Sequence, residues 1–208
     1  MRVSDLTDII VRTLGAFPLM ITTYLPDLPG YCLRYSYYKR KLKSLGAGSK
    51  IDQGVIIINP EKVLIGEHTW IDKNVIILGG EGVEIGRRVH IAHNCLVQGG
   101  GFVKVGNYVG IAAGSIIFSA TDTVHDRKRI GPMIPLEYRN SVMKKPVIIE
   151  KDAFIGTRCV VFPGVTVGEG AVIGAGSLVL EDIPAWKIAV GSPAKPIKDR
   201  PKIRVPDL

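Results

Sequence analysis

The chain has 208 residues, with 27 Lys+Arg against 19 Asp+Glu and a net charge of +8. That length suits one good-sized domain with a small extra element, and the positive balance favours anionic partners: a phosphate-bearing cofactor, an anionic membrane surface or nucleic acid. Aromatic residues make up only 7% and no nucleic-acid-binding motif is present, so nucleic acid is not the expected partner.

The N-terminal sequence "MRVSDLTD" is acidic where a secretory signal is basic. Cys32, Cys95 and Cys159 are odd in number and lack CxxC spacing. They read as reduced core residues of a cytoplasmic protein. In residues 1–44, Leu6, Ile9, Ile10, Leu14 and Phe17 share a helical face, with Ser4 as N-cap. The apolar run Leu14–Leu25 is twelve residues long and interrupted by Pro18, too short to span a bilayer. After a break at Pro26, Pro29 and Gly30, a second stripe of Tyr31, Tyr35, Tyr38, Leu42 and Leu45 is flanked by Arg34, Lys39, Arg40, Lys41 and Lys43. Two readings stay open: a helical pair packed on the next element, or a basic, aromatic-rich patch giving peripheral contact with the inner face of the membrane.

From Leu45 a six-residue rhythm begins. Aliphatic residues fall at Leu45, Ile51, Ile57; Ile65, Ile71, Ile77; Ile85, Ile91, Val97; and Val105, Ile111, Ile117. Steps within each trio are six, and steps between trios are eight. The rhythm resumes at Ile149, Ile155, Val161, Val167, Ile173 and Val179. The position after each aliphatic is often small or acidic, and the fourth position after it is mostly small or β-branched. A helix repeats at 3.6 residues and an alternating strand at 2, so neither explains six. A three-sided coil does: each hexad is a short strand and a corner, with the aliphatic pointing inward. "GGEG" (Gly79–Gly82) and "GGGF" (Gly99–Phe102) bulge one corner. About six coils stacked as parallel strands make an all-β prism about 30 Å tall.

Between Ile117 and Ile149 roughly 26 residues are extruded as a loop spanning about 118–148. It begins "FSATDTVHD" and carries the basic run Arg127–Arg129. Imidazole titrates near neutrality and suits acid–base work. His125 is the loop's candidate for such work, with Asp126 as a candidate to orient the ring. His68 sits in an ordinary hexad and reads as structural. His90 and His93, in "VHIAH", have metal-like spacing and with His125 make a conceivable metal site; His93 and Asn94 are alternatively candidates to line an acceptor cleft.

Over about Leu45–Lys198 the chain resembles the hexapeptide-repeat acyltransferases, which fold as left-handed parallel β-helices. "VIIEKDAFIGTRCVVFPGVTVGEGAVIGAGSLVLEDIPAWKIAVGSPAKPIK" (Val147–Lys198) resembles the branch containing galactoside, maltose and xenobiotic acetyltransferases and polysaccharide O-acetyltransferases. The resemblance implies an N-terminal helical segment (1–44), a β-helix (45–184) with its extruded loop, and a basic, Pro-containing tail (185–208). It implies a homotrimer with sites between subunits, acetyl-CoA as co-substrate, no metal, and His125 as the general base. Gly156, Thr157, Gly174 and Ala175 match positions that contact the pantetheine arm, and Lys195 and Lys198 match basic residues near the nucleotide phosphates. Leu180 and Glu181 depart from the Thr-Lys pair of some members, which puts the nucleotide end in doubt. The expected activity is O-acetylation of a sugar hydroxyl in surface polysaccharide biosynthesis. N-acetylation of a nucleotide-linked amino sugar is an alternative, although those enzymes usually add a nucleotide-binding βαβ domain for which 1–44 is too short. A γ-carbonic-anhydrase-like metal hydratase and a purely structural β-helix are the non-transferase alternatives.

Overall fold

The residues that carry the six-residue rhythm line one continuous interior. A computed structural model describes residues 22–207. In it Ile51, Ile71, Ile91, Ile111, Ile155 and Ile173 are each at most 1% exposed. They stand in one register column, because Ile51 pairs with Ile71 and the match repeats up the stack.

Three parallel faces enclose this core. Face A stacks Ser44–Leu45, Val63–Ile65, Val83–Ile85, Val103–Val105, Val147–Ile149 and Thr166–Val167. Face B stacks Lys50–Ile51, Trp70–Ile71, His90–Ile91, Gly110–Ile111, Phe154–Ile155, Val172–Ile173 and Lys187–Gly191. Face C stacks Ile56–Ile58, Ile76–Leu78, Leu96–Gln98, Ile116–Phe118, Val160–Val161 and Leu178–Val179. The result is a β-solenoid of six three-sided coils, with a seventh strand on face B. That strand turns back as a hairpin, Lys187–Gly191 against Ala194–Asp199, so residues after 184 continue the stack. Buried hydroxyls tie the coils together. Ser49 donates to Gly66 O at 2.7 Å, Thr69 to Gly86 O at 2.8 Å and Ser115 to Gly156 O at 2.8 Å.

Along each face one set of N–H groups donates to inward-residue carbonyls of the coil after it, as Gly46 does to Ile65 O, Lys50 to Thr69 O and Asp52 to Ile71 O. The matching carbonyls of the first coil, those of Leu45, Ile51 and Val55, therefore face the open end with no earlier coil to serve them. Helix α1, Asp27–Lys41, closes that end. Lys39 Nζ donates to Leu45 O at 2.6 Å, Arg34 Nε to Ile51 O at 2.7 Å, and the Tyr38 hydroxyl to Val55 O at 3.3 Å. Arg34 also donates through Nη1 to Leu25 O at 2.6 Å and Thr22 O at 3.1 Å. Burial pushes the Tyr38 phenol up to about 12. A repeat stack needs such a terminal cap.

Three sequence expectations change here. Arg34 is fully buried rather than part of a basic surface, because it serves these carbonyls. The stripe ending in Leu42 and Leu45 is not one helix: the helix stops at Lys41, and Leu45 belongs to the first strand of face A. Cys32 is exposed on α1, while Cys95 and Cys159 lie in the core, where burial pushes both thiols up. The expected helical stripe Leu6–Phe17 lies outside the described residues. Among the described residues no helix is long and apolar enough to cross a membrane.

The cap makes a prediction. Arg34→Met removes three donated hydrogen bonds and leaves buried carbonyls unserved, so unfolding in urea should show a loss of about 2–4 kcal/mol. A loss below about 0.5 kcal/mol, the scale of an ordinary surface change, shows that α1 does not cap the coil in this way.

Candidate functional site

Two features interrupt the regular prism, and they sit on the two edges that border face C. The first is the edge between faces B and C. There His93, Asn94, Ala113, Gly114, Thr157 and Arg158 line a cleft of about 490 Å3. Corner geometry builds it. On successive coils Asn94, Gly114, Arg158 and Gly176 all take left-handed backbone, with φ of 60°, 70°, 55° and 71°. The carbonyls of His93, Ala113 and Thr157 each accept an N–H from the coil that follows. The N–H groups of Ala113, Thr157 and Ala175 make no hydrogen bond among the described residues, so this edge presents a ladder of free donors. Rungs lie ~4.8 Å apart.

The structure thus brings Thr157 together with His93 and Asn94 in one cleft, with Ala175 on the next rung. Gly156 and Gly174 are needed for stacking whatever binds there. A Cβ on Gly156 would lie 2.6 Å from Ala175 N, and one on Gly174 would lie 2.6 Å from Val190 Cγ1. Lys195 and Lys198 sit on the terminal hairpin. Lys195 Nζ is held by Glu181 at 2.7 Å, so the residue that departs from the Thr-Lys pair sits on one of the two cations matched to the nucleotide phosphates. Lys198 is exposed and has no carboxylate within 4.0 Å among the described residues.

The second feature leaves from the edge between faces C and A. It is a projecting arm: Ala120–Asp122 pairs antiparallel with Val142–Lys144. An ion pair between Arg139 and Asp122 ties its base, with Nε donating at 3.1 Å. His125 is exposed in the arm's turn. Asp126 accepts from Ser141 N–H at 2.7 Å and from the Thr123 hydroxyl at 3.4 Å. The Ser141 N–H is the main cause holding the Asp126 carboxyl below its usual range. Asp126 thus shapes the turn that presents His125. Within one chain, His125 and the cleft occupy different edges, so the structure does not bring them together.

The remaining histidines are placed separately. His90 hydrogen-bonds to Asp72 Oδ2 at 3.1 Å on the outside of face B, beside Trp70 at 5.9 Å between ring centroids. His68 lies at a corner between faces A and B, its ring over Gly48. Among the described residues no group of three or more His, Cys, Asp or Glu is placed to hold a metal ion. Sequence reasoning missed the Asp72–His90 pair and the cleft residue Arg158. Arg158 directly follows Thr157 in "FIGTR" and carried a signal. Asp72 and His90 are 18 residues apart and meet only once the coils are stacked.

Comparison with known proteins agrees with this architecture. A family model described as the hexapeptide repeat of succinyl-transferase matches residues 146–181. A variant of AntD, an N-acyltransferase from Bacillus cereus crystallised with dTDP-4-amino-4,6-dideoxyglucose and coenzyme A, superposes with a TM-score of 0.76 at 33% identity. The match covers 81% of this chain and 89% of that one. The hexapeptide-repeat-containing acetyltransferase VCA0836 of Vibrio cholerae, complexed with acetyl coenzyme A, superposes at 0.60 and 25% identity, over 90% of this chain and 85% of that one. A Staphylococcus aureus 2,3,4,5-tetrahydropyridine-2,6-dicarboxylate N-acetyltransferase is 46% identical over 59 residues, 28% of this chain. The chain spans 25% of that protein's length and 42% of a Schizosaccharomyces pombe relative named for acetyltransferase activity. The chain belongs to the hexapeptide-repeat acyltransferase family.

Proposed function

We propose that the chain transfers an acetyl group from acetyl-CoA to a sugar hydroxyl, as in polysaccharide O-acetylation, with each site assembled between copies of a homotrimer. The observation that carries this reading is the edge cleft, where free backbone N–H groups run past Thr157 and Ala175 towards His93 and Asn94. Those donors suit the amide carbonyls of a pantetheine arm. One of them suits the oxyanion that forms when the acceptor oxygen attacks the thioester carbonyl. The base takes the hydroxyl proton, the tetrahedral intermediate collapses, and CoA leaves as thiolate. Gly156, Thr157, Gly174 and Ala175 hold the cofactor arm, Lys198 its phosphates, with Lys195 shared with Glu181. His93 and Asn94 face the acceptor, and His125 is the base.

Assembly follows from face C. One outward column is Ile56, Ile76, Leu96, Ile116, Val160 and Leu178, all aliphatic, and the column beside it holds Ile58, Leu78, Gln98 and Phe118. Face A instead carries Glu84 and Lys104. An apolar face of this kind marks an interface. The cleft and the arm lie on the two borders of face C, so packing face C against a second copy sets one chain's arm beside its neighbour's cleft. The arm itself exposes Val124, Ile130, Met133 and Leu136 at 57–91%, which a neighbour would cover.

A second acceptor is favoured by the AntD comparison. The shortness of residues 1–44 argues against a nucleotide-linked amino sugar only if a separate nucleotide-binding domain is required. The crystallised AntD chain is matched over 89% of its length, which leaves no room for one there. A thiol-release assay with acetyl-CoA, run against free sugars, saccharides and nucleotide-linked amino sugars, separates the two. No CoA release with any of them sinks the transferase reading.

The membrane reading rests on Tyr24, Leu28 and Leu33, exposed on or beside α1, and on Arg40, Lys41 and Lys43 nearby. We expect the full chain to float with phosphatidylserine vesicles and to be released by salt. Leu28→Glu with Leu33→Glu should abolish flotation; unchanged flotation refutes contact through this surface.

A further inference from the structure

The arm carries a second built feature that the reaction chemistry leaves unused. Arg127, Lys128 and Arg129 line a cleft of about 500 Å3 together with Tyr138 and Glu137. Three consecutive cations repel one another, so a backbone that keeps them adjacent has to be held, and here it is. Asn140, only 4% exposed, clasps Lys128 from both sides: its Oδ1 accepts the Lys128 N–H at 3.2 Å and its Nδ2 donates to Lys128 O at 2.9 Å. Arg129 N–H donates to Tyr138 O at 3.0 Å, and Asn140 N–H donates to Arg129 O at 2.8 Å. Arg127 takes left-handed backbone, φ 54°, which turns the run at its start. Glu137 shares the cleft, yet among the described residues no carboxylate lies within 4.0 Å of any of the three cationic groups. The arm thus uses a buried side chain to hold the backbone that presents three cations, none of them in an ion pair among the described residues.

We infer that this cleft binds the diphosphate of a diphosphate-linked sugar acceptor, with the Tyr138 ring beside the adjoining group. Guanidinium forks match phosphate oxygens in pairs, and a held backbone already brings the three cations to one cleft. CoA also carries a diphosphate, but the position of the run argues against it. Arg127 and Arg129 follow His125 by two and four residues, so their Cα atoms lie within ~7 and ~14 Å of its Cα. If His125 stands at the reacting carbonyl, the run lies at the thioester end of CoA, and the pantetheine arm holds CoA's own phosphates away. The inference rests on the proposed role of His125.

Inorganic pyrophosphate is the probe. Calorimetry on the full chain should show binding that weakens as salt rises. Arg127→Gln with Arg129→Gln should weaken it tenfold or more, about the loss of one charge-assisted hydrogen bond. CoA affinity measured on the same samples should not change, and circular dichroism should confirm the fold. UDP and geranyl diphosphate, tested as competitors, tell a nucleotide carrier from a lipid one; displacement by either supports the inference. No pyrophosphate binding, or equal binding by the variant, overturns it. A parallel fall in CoA affinity overturns it too, by assigning the cations to the cofactor. Wild-type CoA binding reports separately on the transferase reading, so the two can fail independently.

Discussion

His125→Ala leaves the solenoid folded and CoA bound, and cuts turnover by about 10²–10⁴-fold, the range expected for losing a general base. The fold survives because the arm adds nothing to the inner aliphatic columns; its strands pair only with each other. CoA binding should survive because the N–H ladder proposed to hold the cofactor lies on a different edge of the chain. Asp126→Asn should cost less. It weakens the acceptor that holds Ser141 N–H and Thr123, and so loosens the turn rather than removing the base. His93→Ala is the decisive comparator, because His93 lies in the cleft with Thr157. If that variant shows the greater loss and alone flattens the pH profile, the base is His93 and the arm serves binding.

The solenoid was legible because a six-residue period over so long a stretch has one geometric solution, and the inward column from Ile51 to Ile173 is the result. Even the two functional edges were in the sequence. His93, Ala113 and Thr157 each follow the middle aliphatic of a trio by two residues, and the arm leaves after the third, so face C lies between them. What stayed hidden needed the coils stacked. Arg34 reads as a surface cation until the Ile51 carbonyl is seen to face the open end of the stack. Glu181 reads as poor for phosphate until it is found on Lys195. His90 reads as half of a metal pair with His93. In the structure it turns to Asp72 on the coil below, while His93 points into the cleft.

Charge placed on face C should separate the chains without unfolding them. Ile76 and Ile116 point outward, while their neighbours Ile77 and Ile117 are fully buried and fill the core. Substituting glutamate at the outward positions therefore leaves the interior untouched. In a trimer each substitution appears three times. Each would remove about 1.5–3 kcal/mol of aliphatic burial and would bury a carboxylate with no partner, at several kcal/mol more. Ile76→Glu with Ile116→Glu should run as a monomer by light scattering at micromolar concentration, with an unchanged circular dichroism spectrum. Turnover should fall at least as far as in His125→Ala, because one chain's arm no longer reaches a neighbour's cleft. Lys104→Glu on face A is the control: a charge already stands there, exposed, and both assembly and turnover should persist. If the face C variant stays trimeric and active while the face A variant dissociates, the copies meet on face A. If wild-type protein is itself a stable, active monomer, the site is complete within one chain and the arm and cleft have separate tasks.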